Sequence, residues 1–144
     1  MESQKLKIYK YDSGKKVLVP FIEGKIPAGF PSPAQDYQED KIDLNEQLIK
    51  HPSSTFIIKV IGDSMIEEGI CNKSFLIVDR SLEYKKNSIA VVNINGDYTV
   101  KKIEKKNNKF FLTGANKNFA PIELNEETEL LIFGIVTWVL NPKY

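Results

Sequence analysis

Three side chains in this sequence have the chemistry to share a proton: Ser64 in "VIGDSMIEEGI", and Lys101 and Lys102 in "DYTVKKI". A serine hydroxyl is a poor nucleophile at neutral pH until a base takes its proton, so the chain has to supply one. The single histidine, His51, lies between a helical stretch and Pro52 with no carboxylate evident to orient it, and reads as a surface residue. The remaining base is an amine, and lysine serves only where burial removes its charge by bringing its pKa well below about 10.4. On a strand, alternation puts Thr99, Lys101 and Ile103 on one face and Tyr98, Val100 and Lys102 on the other. Each lysine then has an apolar neighbour, and pattern alone leaves the choice between them open. It also leaves open the plainer reading, in which a serine after Gly-Asp is a turn residue and a strand lysine pair is a solvated face. Asp63 is assigned to the turn rather than to a third catalytic position, because a carboxylate beside a lysine base favours the charged form of the amine.

Other chemistries find little support. One cysteine, Cys71, has no CxxC partner and reads as an unreactive structural thiol. One histidine and one cysteine are too few nitrogen and sulfur ligands for a typical zinc site, so neither metal catalysis nor a cofactor is expected. Twenty Lys and Arg against nineteen Asp and Glu give a net charge of +1, which argues against a phosphate-tracking surface and direct sequence-specific DNA binding. The longest apolar run, "LLIFGIVTWVL", falls short of the about 20 residues that cross a bilayer, and "MESQKLKIYKYDSGKK" lacks an apolar signal core. A cytoplasmic protein is the expectation.

The elements that would position Ser64 and the lysines are mostly strands. At 144 residues the chain is long enough for one core-bearing domain. The first 28 residues are polar and lysine-rich around "VLVPFIEG", where Pro20 demotes the strand reading to an edge or an arm, and this segment reads as loosely attached. "IPAGFPSPAQDY" follows, with three prolines that favour extended chain. "DLNEQLIKHP" predicts one short helix, with Asp43 as N-cap, Glu46 three residues on, and Pro52 as a stop. Beyond it, "STFIIKVI", "SFLIVDR", "SIAVVNI", "DYTVKKI", "KFFLTG" and "LLIFGIVTWVL" read as strands. Asn95-Gly96 between the third and fourth predicts a hairpin, because both residues tolerate the positive φ of a type I′ turn.

"GDSM" opening a turn after a strand, followed by "TVKK" on a later strand, resembles the LexA-type self-cleaving serine peptidases. "AGFPSPAQDYQEDKIDLNEQLIKHPSS", "GDSMIEEGI", "FLIVDR", "DYTVKKI" and "FGIV" extend the likeness over roughly residues 29 to 140. They are similar to the UmuD-type branch of that family, accessory subunits of error-prone translesion DNA polymerases in the SOS response. The resemblance implies a mostly β, LexA/UmuD-type catalytic β domain with a short helix and a flexible N-terminal arm. It makes Ser64 the nucleophile, Lys101 the base and Lys102 a bystander, and it places a self-cleaved bond at Ala28-Gly29. Backbone N–H groups around Asp63 and Ser64 would hold the oxyanion. Alanine before the bond and glycine after it permit a close backbone approach, and "FPSP" keeps the following chain extended.

The implied organisation is a 1–28 arm removed on cleavage, a 29–45 extended segment beside the cleavage site, and a 46–144 β-rich peptidase-like and dimerisation domain. The implied partners are a second copy of the chain, the RecA filament on single-stranded DNA, and a UmuC-like translesion polymerase. Three alternatives compete. A LexA-like repressor carries a helix-turn-helix domain before its cleavage site, and residues 1–28 lack that pattern. A signal peptidase, another Ser-Lys enzyme, needs a membrane anchor. A catalytically idle homodimeric module that only binds a polymerase fits the same motifs, and self-cleavage of the purified chain distinguishes it.

Overall fold

The structure, a computed structural model, describes residues 5–10, 18–23, 38–115 and 117–143. Two compact units divide the chain: residues 1–11 with 51–144, and residues 12–50. Ala28 and Gly29, and with them the expected scissile bond and the boundary drawn there, lie outside the described residues.

The larger unit is mostly β, as expected of a LexA/UmuD-type domain. Its strands are β1 (Lys5–Lys10), β4 (Thr55–Ile61), β5 (Phe75–Asp79), β6 (Ile89–Ile94), β7 (Asp97–Lys106), β8 (Lys109–Thr113), β9 (Ile122–Glu123) and β10 (Ile132–Leu140). They form one eight-stranded sheet in the order β1-β4-β5-β10-β6-β7-β8-β9, and every described pair is antiparallel. The Asn95-Gly96 hairpin forms as predicted, with φ of 53° and 86° and Ile94 opposite Asp97. Asn107 and Asn108, at φ 53° and 61°, make a second such turn between β7 and β8. Asparagine tolerates this region because its side chain bonds locally.

Two apolar clusters cover opposite faces of the central strands. One joins Ile58, Val60, Met65, Ile70, Leu76, Val78, Val91 and Val100; the other joins Ala90, Val92, Ile103, Leu112, Leu124 and Ile135. Val91 alternates against Ala90 and Val92, and Val100 lies opposite in sense to Ile103, so the period-two reading of "DYTVKKI" holds. Gly134 is required where β10 crosses β5, since a Cβ there would come within 2.6 Å of Val78 Cγ1.

Within the segment read as loosely attached, residues 5–10 are held in the sheet. Lys5–Lys10 pairs along its whole length with β4, from Lys5 opposite Ile61 to Lys10 opposite Phe56. β4 would otherwise present a row of unpaired backbone groups at the sheet edge, and "KLKIYK" has the alternation that suits such an edge.

The smaller unit holds β2 (Leu18–Glu23), β3 (Gln38–Asp43) and α1 (Leu44–Leu48). β2 and β3 form a two-stranded antiparallel sheet in which both strands are edges, the setting in which Pro20 is tolerated. Asp43 caps α1, its carboxylate accepting the Asn45 N–H at 3.0 Å.

Candidate active site

Ser64 stands on the turn that follows β4, and hydrogen bonds on both sides fix that turn. Gly62 takes a φ of 109°, reserved in practice for glycine, and its N–H donates to the Asn72 side-chain oxygen at 2.9 Å. The Asn72 N–H donates in return to the Asp63 carboxylate at 2.8 Å. Beyond Ser64, the Ile66 N–H bonds the Asp63 carbonyl at 3.1 Å, and a 3-10 turn over Ile66–Glu68 closes on Gly69 at φ 77°. Asp63 is thus a strut of the turn, as assigned from sequence. The Ser64 side chain is exposed, and neither the Asp63 nor the Ser64 N–H has a hydrogen-bond partner among the described residues.

Both lysines lie on β7 but meet different surroundings. Lys102 Nζ pairs with Glu68 at 3.2 Å. Lys101 Nζ makes no ion pair among the described residues; it lies 3.9 Å from the centroid of the Phe119 ring and close against Gly114. Burial holds the Lys101 pKa below the usual lysine value, the direction that a neutral base requires. The structure therefore separates two residues that strand alternation left equivalent.

The serine turn and the lysine strand are brought together by packing. Met65, next to Ser64, and Val100, next to Lys101, are both almost wholly buried in the same apolar cluster. Burying side chains of this size stabilises by about 2 kcal/mol each, against at most about 1 kcal/mol for a half-exposed ion pair such as Lys102–Glu68. The core sets the approach and the ion pair trims it. Met65, Glu68, Lys102, Thr113 and Gly114 line a cavity of about 220 Å³ between turn and strand. No hydrogen bond joins Ser64 and Lys101 among the described residues.

His51 is an exposed surface residue, as read from the sequence. It has the carboxylate partner that the sequence did not disclose: its Nδ1 pairs with Asp79 of β5. Asp79 also accepts from Ser54 Oγ at 2.9 Å, Ser81 Oγ at 2.6 Å and the Ser81 N–H at 2.9 Å. Burial works to raise the Asp79 pKa, but the Ser81, His51 and Ser54 bonds outweigh it and the value falls to about 2. This is not a catalytic triad, because the serines bond the carboxylate and not the imidazole. Residues far apart in sequence make the cluster, so no local motif announces it. Phe119 and Gly114 were missed as well; only the strand pairing of β7 and β8 brings them to Lys101.

Residues 20–137 match the Peptidase S24-like family. Among curated relatives, the chain is 36% identical to protein SamA of Salmonella typhimurium over 82% of this chain and 81% of that protein. It is 35% identical to protein MucA of Salmonella typhimurium over 92% of each. A LexA repressor of Shewanella piezotolerans is 34% identical over 82% of this chain but only 57% of its own length.

Proposed function

The chain belongs to the Peptidase S24-like family, and from that premise we propose that it cuts its own Ala28-Gly29 bond with a Ser64–Lys101 dyad. Neutral Lys101 accepts the Ser64 proton, and Ser64 Oγ attacks the Ala28 carbonyl carbon. The Asp63 and Ser64 N–H groups donate to the resulting oxyanion. Lys101, now an ammonium, protonates the amine leaving from Gly29 as the C–N bond breaks. Water then hydrolyses the acyl-enzyme, with Lys101 again taking the proton and Ser64 recovering its own.

The observation that carries this reading is the difference between the two lysines. Lys102 is engaged by Glu68 in an ion pair, while Lys101 is partly buried with no carboxylate partner among the described residues. The Asp63 and Ser64 N–H groups, without a hydrogen-bond partner among the described residues and beside an exposed Ser64, support the oxyanion role.

By its UmuD-like relationship the chain is further proposed to act in the cytoplasm in SOS mutagenesis. The 29–144 product, as a homodimer, would serve as a subunit of a UmuC-like translesion polymerase, with the RecA filament promoting cleavage. A second reading, an idle homodimeric polymerase-binding module, is favoured by one observation: the missing Ser64–Lys101 hydrogen bond. N-terminal sequencing after incubation with activated filament tests the choice. Self-cleavage predicts a fragment beginning at Gly29 that Ser64→Ala and Gly29→Val fail to yield; an intact chain under every condition favours the idle module.

A further inference from the structure

We propose that Phe119 is a positioning residue for Lys101: its ring is the resting berth of the charged amine, which has to leave it before Ser64 can be deprotonated. The proposal rests on the reading of Lys101 as the base. Lys101 Nζ lies 3.9 Å from the ring centroid, closer than the surface contacts of Lys59 over Phe75 at 5.8 Å and Lys105 over Phe110 at 5.5 Å. Gly114 makes the berth possible. A Cβ there would fall 2.9 Å from Lys101 Nζ, 3.2 Å from Phe119 Cβ and 3.3 Å from Phe119 Cδ1, so any side chain would crowd amine and ring together.

The face of an aromatic ring carries negative potential, which attracts an ammonium and has little hold on a neutral amine. Two influences on the same nitrogen therefore oppose each other. Burial favours the neutral form and the ring favours the charged one. No carboxylate among the described residues competes with the ring. On β7, Lys102 turns to Glu68 and shares the opposite face with Glu104; on β6 the residue paired with Lys101 is Ala90; beyond β8, Lys117 is exposed. The ring thus restrains only the charged population, and a docked substrate that strips water from the amine shifts the balance toward the neutral, released side chain.

The test compares Phe119→Leu, which keeps apolar bulk without the ring, with Phe119→Tyr, which keeps the ring. Self-cleavage by the full chain is followed from pH 7 to pH 10. Phe119→Leu should cleave roughly two- to fivefold faster near neutrality and at the wild-type rate on the alkaline side, with Phe119→Tyr matching wild type throughout. In a Ser64→Ala background, the Lys101 ε-methylene protons should show an upfield ring-current shift that Phe119→Leu abolishes, and the amine should titrate lower once the ring is gone. Slower cleavage by Phe119→Leu at every pH would make the ring a buttress of the active geometry and overturn the proposal. Absence of the ring-current shift would overturn it without reference to cleavage. If Lys101→Ala still cleaves, the base assignment fails and the proposal with it. If Lys101→Ala is inactive while Phe119→Leu is unchanged near neutrality, the proposal alone fails.

Discussion

Asp63 offers a quantitative separation between a carboxylate that positions and one that takes part in chemistry. Its Oδ1 accepts the Asn72 N–H at 2.8 Å, and the Asn72 side chain accepts the Gly62 N–H at 2.9 Å. Both bonds are solvent-exposed, where a neutral bond contributes about 1 kcal/mol and one to a charged acceptor about 1.5–2. Asp63→Ala therefore loosens the turn by about 1–2 kcal/mol. If all of that bears on the placement of Ser64, self-cleavage slows roughly five- to thirtyfold. Asp63→Asn can keep an oxygen acceptor in place and should lose no more than about threefold. Asn72→Ala cuts the other bond and should cost about fivefold, with the double variant less impaired than the product of the two because they share one turn. The assay is single-turnover self-cleavage by intact mass, with circular dichroism to establish that each variant is folded. A hundredfold or greater loss in folded Asp63→Asn would refute the positioning role, and a wild-type rate in Asp63→Ala would refute any influence of the clamp on Ser64.

Lys102→Ala should keep self-cleavage within about fivefold of wild type and change unfolding free energy by no more than about 1 kcal/mol, since its pair with Glu68 is partly exposed; urea unfolding and intact mass check both. For Asp79, a folded pKa of about 2 against an ordinary 3.8 means that the ionised form stabilises the fold by about 2 kcal/mol above pH 4. That increment declines as pH falls from 4 toward 2, so the stability gap between wild type and Asp79→Asn should narrow over that range, and a constant gap would contradict the linkage. Gly134→Ala forces a methyl to within 2.6 Å of the fully buried Val78 and should destabilise by about 1–3 kcal/mol, with Val78→Ala relieving part of the strain in the double variant.

Much of the β domain was legible because its strands are short β-rich runs broken by turn residues, and Asn95-Gly96 encoded its hairpin in two letters. The helix was legible from Asp43 and its spacing to Glu46. β1 was not, because lysine content in "KLKIYK" masked an alternation that only a waiting edge of β4 makes useful. At the site, Ser64 and Asp63 could be placed from "GDSM", and the resemblance favoured Lys101 over Lys102, but alternation could not show their different surroundings, which are tertiary: Glu68 beside one, Phe119 and Gly114 beside the other. The same holds for His51 and Asp79, whose pairing spans β-strand connections that no local pattern records.

Whether Ser64 and a neutral Lys101 cut the chain at Ala28-Gly29 is decided by intact mass followed over time in a pH series. The chain should convert to fragments of residues 1–28 and 29–144, with a rate that rises from neutrality until the Lys101 amine is fully neutral. Ser64→Ala and Lys101→Ala should each remain whole while folded. A rate that is flat or falls with rising pH in folded protein, or robust cutting by folded Lys101→Ala, would contradict that mechanism.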